Sequence, residues 1–302
     1  MKKILFLLLM FSIGCSENIS ENENPSTTNT NNNPEPSPTT INLPTKIIYT
    51  TSSNISSPFI SIISYDGNKI IDIRKQFTNE VLYEFTYDAE RITKIKSNQY
   101  DGFSTPQYYN FTYENGRLKN ITKQTPNSSD QASYTNYNVT LDWISNTNVK
   151  FKVPFTSNAI GNSYVYYELF FDDNENLIKS TTDQKILSRY FTTETYTYDD
   201  QITTPFKNVA GINKFNGIIN LFLGIAKYQY SHIFPSEFFL SKNNLTKINS
   251  NTKIYDIYGN FSSSYDLEYN YFYEPNTNNY TKIFKTTGIA SNITTTIEYI
   301  YD

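Results

Sequence analysis

The chain is poor in the residues on which most reactive sites are built. Its 302 residues hold one cysteine (Cys15), one histidine (His232), one tryptophan (Trp143) and two methionines. A single cysteine excludes an internal disulfide framework. Zinc takes three or four nitrogen or sulfur ligands, which this composition does not supply. A histidine-based triad has one candidate base, His232, and no nucleophile-elbow motif accompanies it. Set before Ile233-Phe234-Pro235, that histidine reads as a partly buried structural residue. Charge of one sign is scarce too: the net charge is −4. Lys2 and Lys3 lie in the leader and Glu17, Glu21, Glu23 and Glu35 follow it, which leaves the body from Lys46 near −2. A body of mixed sign has no electrostatic footprint for nucleic acid.

Long apolar runs are also missing. Ile4–Ile13 is a 10-residue run, half the ~20 apolar residues of a membrane-spanning helix. Behind Met1-Lys2-Lys3 it has the form of a signal peptide, ending at Ser12-Ile13-Gly14-Cys15. This end resembles a bacterial lipobox, with Ser12 where leucine is usual. The resemblance implies that Cys15 is lipidated as the first residue of the mature chain. The Ser-Glu-Asn that follows is similar to the start of Bacteroidetes-type lipoproteins, which implies an outer-membrane location, periplasmic or at the cell surface. Ser16–Thr45 is rich in Asn, Ser, Thr, Pro and Glu. It has too few apolar groups to offset its ordering entropy and reads as a tether; ~30 flexible residues span roughly 30 Å. The expected organisation is therefore a signal peptide at 1–14, a lipid-anchored tether at 15–45 and one β domain at 46–302.

Aromatics are abundant: 27 Tyr and 21 Phe. They recur in one setting. Tyr83-Glu84-Phe85-Thr86-Tyr87-Asp88 alternates aromatic and polar residues, breaks at Ala89-Glu90-Arg91, and resumes as Ile92-Thr93-Lys94-Ile95. Period two gives a strand with one dry and one wet face, and the polar break makes a hairpin. Versions of the unit end at Tyr65, Tyr113, Phe171, Tyr198, Tyr273 and Tyr301, usually 26–28 residues apart. Two longer intervals, after Tyr113 and after Tyr198, are expected to hide drifted copies, with Asn138–Trp143 a hidden strand in the first. Asx residues and Gly lead into turns, and Asn115-Gly116 is the strongest two-residue hairpin signal. Lys94, Lys119 and Lys179 are read as one column on the wet face, protecting a sheet edge. A hairpin cannot bury its aromatic face alone, so the units stack. The expected fold is all-β: an antiparallel meander of repeated hairpins curled into a barrel-like sheet, with one apolar insertion at about 205–240 that plugs an end.

The Tyr-x-Tyr-Asp-turn-Leu/Ile-x-Lys-Ile unit resembles the YD repeats of RHS-type proteins. From about Lys46 the body is similar to a Bacteroidetes-type lipoprotein family of unknown function with a porin-like fold. The residues that carry this are the repeated Tyr-Asp turns, Tyr198-Asp199-Asp200 followed by Pro205-Phe206-Lys207-Asn208, and Asn243–Ile248. The resemblance implies a barrel-like sheet and no catalytic residues. The wet outer positions, Glu84, Thr86, Asn110, Thr112, Glu168, Thr195 and Thr197, argue against a lipid-embedded barrel, which needs an apolar outer band.

Two kinds of chemistry remain to weigh. Asp172-Asp173-Asn174-Glu175-Asn176 matches the opening of an EF-hand loop, but Leu177 stands where Gly is needed and Asp183 where Glu is needed; it reads as a hairpin turn. Paired carboxylates could serve glycoside hydrolysis, with Asp172-Asp173, Asp199-Asp200 and Glu237 the loose candidates. Trp143, Tyr108 and Tyr109, with Tyr134 and Tyr137, are candidate stacking surfaces for sugar rings. The expected function is a lipid-anchored envelope scaffold or binding module, without a cofactor or metal, meeting the membrane through its lipid and a glycan or envelope protein through its body. The alternative is a carbohydrate-active enzyme using two carboxylates.

Overall fold

The structure, a computed structural model, describes residues 42–52, 58–98, 105–127, 133–157, 161–185, 188–211, 243–287 and 294–301. Cys15, the tether up to residue 41, His232 and Glu237 lie outside the described residues. So does most of the apolar insertion, from residue 212 to residue 242.

Sixteen strands are described, and no helix. The first eight are β1 (Pro44–Thr51), β2 (Phe59–Asp66), β3 (Lys69–Lys75), β4 (Val81–Asp88), β5 (Arg91–Ser97), β6 (Gln107–Glu114), β7 (Arg117–Pro126) and β8 (Tyr134–Trp143). The rest are β9 (Asn148–Ser157), β10 (Gly161–Phe171), β11 (Leu177–Lys185), β12 (Arg189–Thr203), β13 (Asn243–Tyr255), β14 (Phe261–Pro275), β15 (Thr281–Thr287) and β16 (Thr294–Tyr301). Each pairs antiparallel with its sequence neighbours, and β1 pairs with β16, so the sheet closes into a barrel. Closure corrects the edge-protecting role expected of the lysines, because a closed sheet has no edge. Lys94 lies 4.3 Å from the Tyr108 ring centre, Lys179 5.4 Å from that of Phe170, and Lys119 4.0 Å from Glu114. Other outer-wall lysines meet carboxylates across the ladder, Lys96–Glu84 and Lys247–Glu268 at 2.7 Å and Lys150–Glu168 at 3.3 Å.

The returning strands explain the repeat. Their apolar residues are three apart, as in Ile70/Ile73, Ile92/Ile95, Leu118/Ile121 and Leu245/Ile248, and all of these are buried. A regular strand would send residues three apart to opposite faces. Each return strand therefore carries a bulge between them. Its residues Ile71, Thr93, Lys119 and Thr246 fall where the register shifts, and the two-against-one count of a bulge keeps both apolar side chains inward. Ile178 takes the same place in β11. This corrects the expected lysine column: Lys94 and Lys179 follow their bulges, whereas Lys119 is itself the bulge residue.

The aromatic that ends each outgoing strand has a matching partner. Tyr65 donates its hydroxyl to Pro44 O at 2.8 Å, Tyr113 to Ile92 O at 2.7 Å, Tyr198 to Leu177 O at 2.6 Å and Tyr301 to Thr281 O at 2.7 Å. Tyr273 donates to Leu245 O in the same way. The acceptor is the carbonyl at the start of the return strand one unit back, so each tyrosine bolts its hairpin to the one before. Trp143 does this with its indole, Nε1 to Leu118 O at 2.9 Å. It is the drifted copy expected in the first long interval. Phe171 has no hydroxyl to offer. Tyr87 makes only a weak contact with the Ile70 backbone, short of a full hydrogen bond.

The second long interval shows no further copy among its described residues, 199–211 and 243–272. There the turn between β12 and β13 has expanded into the insertion. Its opening residues, 204–211, run across the end of the barrel that carries the repeat turns. Ala210 N–H reaches Asn68 O at 2.8 Å, Asn208 Nδ2 reaches the Tyr280 hydroxyl at 2.8 Å, and Phe206 lies edge-on to Tyr299 at 6.0 Å. Phe206, Val209 and Ala210 are buried with the core. Sixteen-strand porins enclose a water-filled channel. Here that end is packed: Ile70, Ile73, Leu82, Ile92, Ile121, Leu141, Leu169, Leu177 and Ile297 are all fully buried.

Candidate binding groove

The repeat also sets a cation over each of three aromatics. The first charged residue of a return strand lies above the ring that ends the next unit: Lys69 over Tyr87 at 6.0 Å, Arg91 over Tyr113 at 5.5 Å, and Arg117 over Trp143 at 5.5 Å. At the third of these the surface opens. A cavity of about 390 Å³ is lined by Glu114, Asn115, Arg117, Leu118, Lys119 and Trp143. Asn115 and Gly116 both take positive φ, 51° and 77°, the pair that a type I′ turn requires. This tight turn swings β7 back so that Arg117 and Lys119 flank the tryptophan.

The groove is polar at its rim and aromatic at its floor. Lys119 lies 4.0 Å from Glu114 across the hairpin. Arg117 donates to Asn146 Oδ1 in the β8–β9 turn, which holds the guanidinium over the indole. Behind Trp143, Phe171 stands at 6.4 Å with its ring inclined by 31°. With its N–H bound to Leu118, the tryptophan has a fixed ring and offers shape, not hydrogen bonding. Such a site suits a polar ligand with one flat apolar face.

The other sequence-derived candidates separate. Tyr108 points to the outer wall, its ring 5.7 Å from Tyr134 and 4.3 Å from Lys94 Nζ. Its neighbour Tyr109 points inward and is 2% exposed, so the two present no common surface. Tyr137, opposite Lys123, shares the inner face. Arg117, Asn115 and Glu114 were not singled out in the sequence as site residues, although the signal is legible: a cation two places after Asn115 repeats Arg91, and the only tryptophan follows one unit on.

Of the acidic candidates, Asp172 and Asp199 serve turns. Asp172 Oδ1 accepts the Asn176 N–H at 2.8 Å and Oδ2 accepts Asn176 Nδ2 at 2.9 Å. Asp256 and Asn260 repeat this arrangement at 2.8 and 3.0 Å. Asp199 accepts the Gln201 N–H at 2.7 Å. Glu194 faces the barrel interior, where the Tyr196 hydroxyl donates to it at 2.6 Å and Ser180 Oγ lies at 3.2 Å. Burial, with the Glu194 carboxylate adding to it, holds the Tyr196 phenol well above the usual tyrosine range.

No family model matches the chain, and no curated protein matches it. Among solved structures it is similar to a porin-like protein from Bacteroides vulgatus ATCC 8482, with a TM-score of 0.49 and 10% identity, over 86% of this chain and 99% of that one. It is also similar to a porin-like protein from Bacteroides uniformis ATCC 8492, with a TM-score of 0.44 and 12% identity, over 86% and 96% of the two chains.

Proposed function

We propose that this protein is a lipid-anchored binding module of a bacterial envelope. Its barrel stands in water and takes a glycan in the Trp143 groove. The observation that carries the reading is the inversion of the barrel wall. A membrane barrel has an apolar band outside; here the outer wall carries Lys96, Lys150, Lys179 and Lys247, and the inner wall carries the aliphatic core. Placing four such lysines at a bilayer midplane costs ~2–4 kcal/mol each, on the order of 10 kcal/mol together. That rivals the whole stability of an ordinary domain, about 5–15 kcal/mol. Attachment then falls to Cys15, and the tether lets the body stand clear of the lipid. No catalytic step forms part of this reading, since Asp172 and Asp199 are committed to turns.

The test uses the full chain and a glycan array, with Trp143→Tyr as the variant. Tyrosine keeps the repeat's bolt, as at Tyr113 and Tyr198, but offers a smaller ring. The expected result is a melting temperature within a few degrees of wild type and a loss of most glycan binding. Unchanged binding by Trp143→Tyr and by Arg117→Ala would remove the groove from the account. A Cys15→Ala chain that still fractionates with membranes would remove the anchor.

A further inference from the structure

A second cluster lies on the inner wall, about 20 Å along β7 from the groove at 3.3 Å per residue. Lys123 faces Tyr109 on one side and Tyr137 on the other. Tyr109 is buried inside, so Lys123 points inward too. Its ammonium lies 5.7 Å from the Tyr109 ring centre, and among the described residues no carboxylate pairs with it. Tyr108 faces Gln124, so Gln107 and Thr125 are the next step of the same ladder, on the same inner face. Gln107 and Lys123 are then diagonal neighbours, within reach of long side chains.

The hydrogen bonding of this cluster is incomplete in one direction. Gln107 is 4% exposed, and its Oε1 accepts the Tyr109 hydroxyl at 3.0 Å. That bond fixes the amide, yet among the described residues its buried Nε2 has no acceptor, and the buried Thr125 hydroxyl has no partner. Buried donors of this kind are normally satisfied. The Glu194 cluster shows the contrast, since its hydroxyls already have an acceptor. An ammonium, an amide N–H and a hydroxyl that share one inner surface and lack an acceptor make a site for an anion. Burial also lowers the Lys123 pKa, as expected of a cation held without its counter-charge.

We infer that Lys123, Gln107 and Thr125 form an oxyanion seat inside the barrel, which takes the carboxylate or phosphate head of a small organic ligand. Tyr109, Tyr137 and Ile95 supply the apolar wall beside it. The seat does not depend on the Trp143 groove, and either site can fail without the other.

Titration calorimetry on the full chain tests this with octanoate, octyl phosphate and the neutral octanol. One or both anions are expected to bind at a single site, and the preferred one tells carboxylate from phosphate. Lys123→Met should weaken the bound anion at least tenfold while leaving any octanol binding unchanged. Without ligand, Lys123→Met should melt higher than wild type, because it removes a half-buried charge that no carboxylate among the described residues offsets, and the anion-induced rise in melting temperature should vanish. Lys96→Met on the outer wall should change none of this. Thr125→Val gives a milder second variant, expected to weaken the anion several-fold. Failure of the wild type to bind either anion at millimolar concentration, or equal binding by Lys123→Met, would overturn the inference.

Discussion

Removing one oxygen atom tests the repeat's bolt. Tyr113→Phe deletes the hydroxyl that donates to Ile92 O at 2.7 Å and leaves the ring in place. A net hydrogen bond is worth ~1 kcal/mol, and the carbonyl left without it adds a desolvation cost, for about 1–2 kcal/mol in all. In a domain of this size that lowers the melting temperature by roughly 3–6 °C. Tyr198→Phe should behave alike, since its bond to Leu177 O is 2.6 Å. Tyr87→Phe should not. Its hydroxyl is buried without a full hydrogen bond, so its removal is neutral or stabilising by up to ~1 kcal/mol. Phe171→Tyr is the reciprocal change, adding a hydroxyl where this unit lacks one. Differential scanning calorimetry of the four variants reads the signs directly. Equal losses for Tyr87→Phe and Tyr113→Phe would mean that the rings act by packing alone and the shared carbonyl contact is incidental.

Three further outcomes follow from the same contacts. Burial pushes Tyr83, Tyr87 and Tyr167 up to about 12, and raises Tyr65, Tyr113 and Tyr301 further. These groups hold their protons more tightly folded than unfolded, so their contribution is complete below pH 10 and is lost as pH rises above it. Each such group costs ~1.4 kcal/mol per pH unit in that window, and absorbance at 295 nm should show the tyrosines ionising together in one cooperative alkaline unfolding, not one by one. Gly211→Ala should destabilise more than Gly116→Ala in urea: both have positive φ, but a Cβ at 211 would sit 2.9 Å from Ile92 Cγ1, whereas at 116 it meets nothing within 4 Å. Ala89, held at φ 50° in the β4–β5 turn, should gain about 0.5 kcal/mol as Ala89→Gly, the strain relieved outweighing the added chain entropy.

Much of the barrel was legible in the sequence because its code is local. Period-two alternation marked the outgoing strands, and Tyr-Asp turns marked their ends. Spacing of three between Ile92 and Ile95 held the bulge in plain sight, but a strict period-two reading passes over it and misplaces Lys119 in the column. Trp143 was seen as a strand end but not as a tyrosine substitute, because that equivalence rests on a hydrogen bond to Leu118, 25 residues back. Closure is non-local: β16 and β1 are the last and first described strands, and nothing in either segment alone specifies the other. The groove was half legible. Its aromatic floor could be named from composition, while its cationic rim needed the register that brings Arg117 over the next unit's ring. The inner-wall cluster around Lys123 was hidden, since one inward lysine in an alternating strand looks like any outward one until the facing residues are known.

The central claim is that the outer wall of this barrel faces water. Nitroxide labels on single cysteines introduced at outward positions Thr112, Thr140, Thr181 and Asn249 of the lipidated protein, bound to vesicles, measure this by paramagnetic resonance. The labels should collide freely with a water-soluble nickel chelate and little with oxygen dissolved in lipid. High oxygen and low chelate accessibility at mid-strand positions would place the wall in the bilayer and contradict the account.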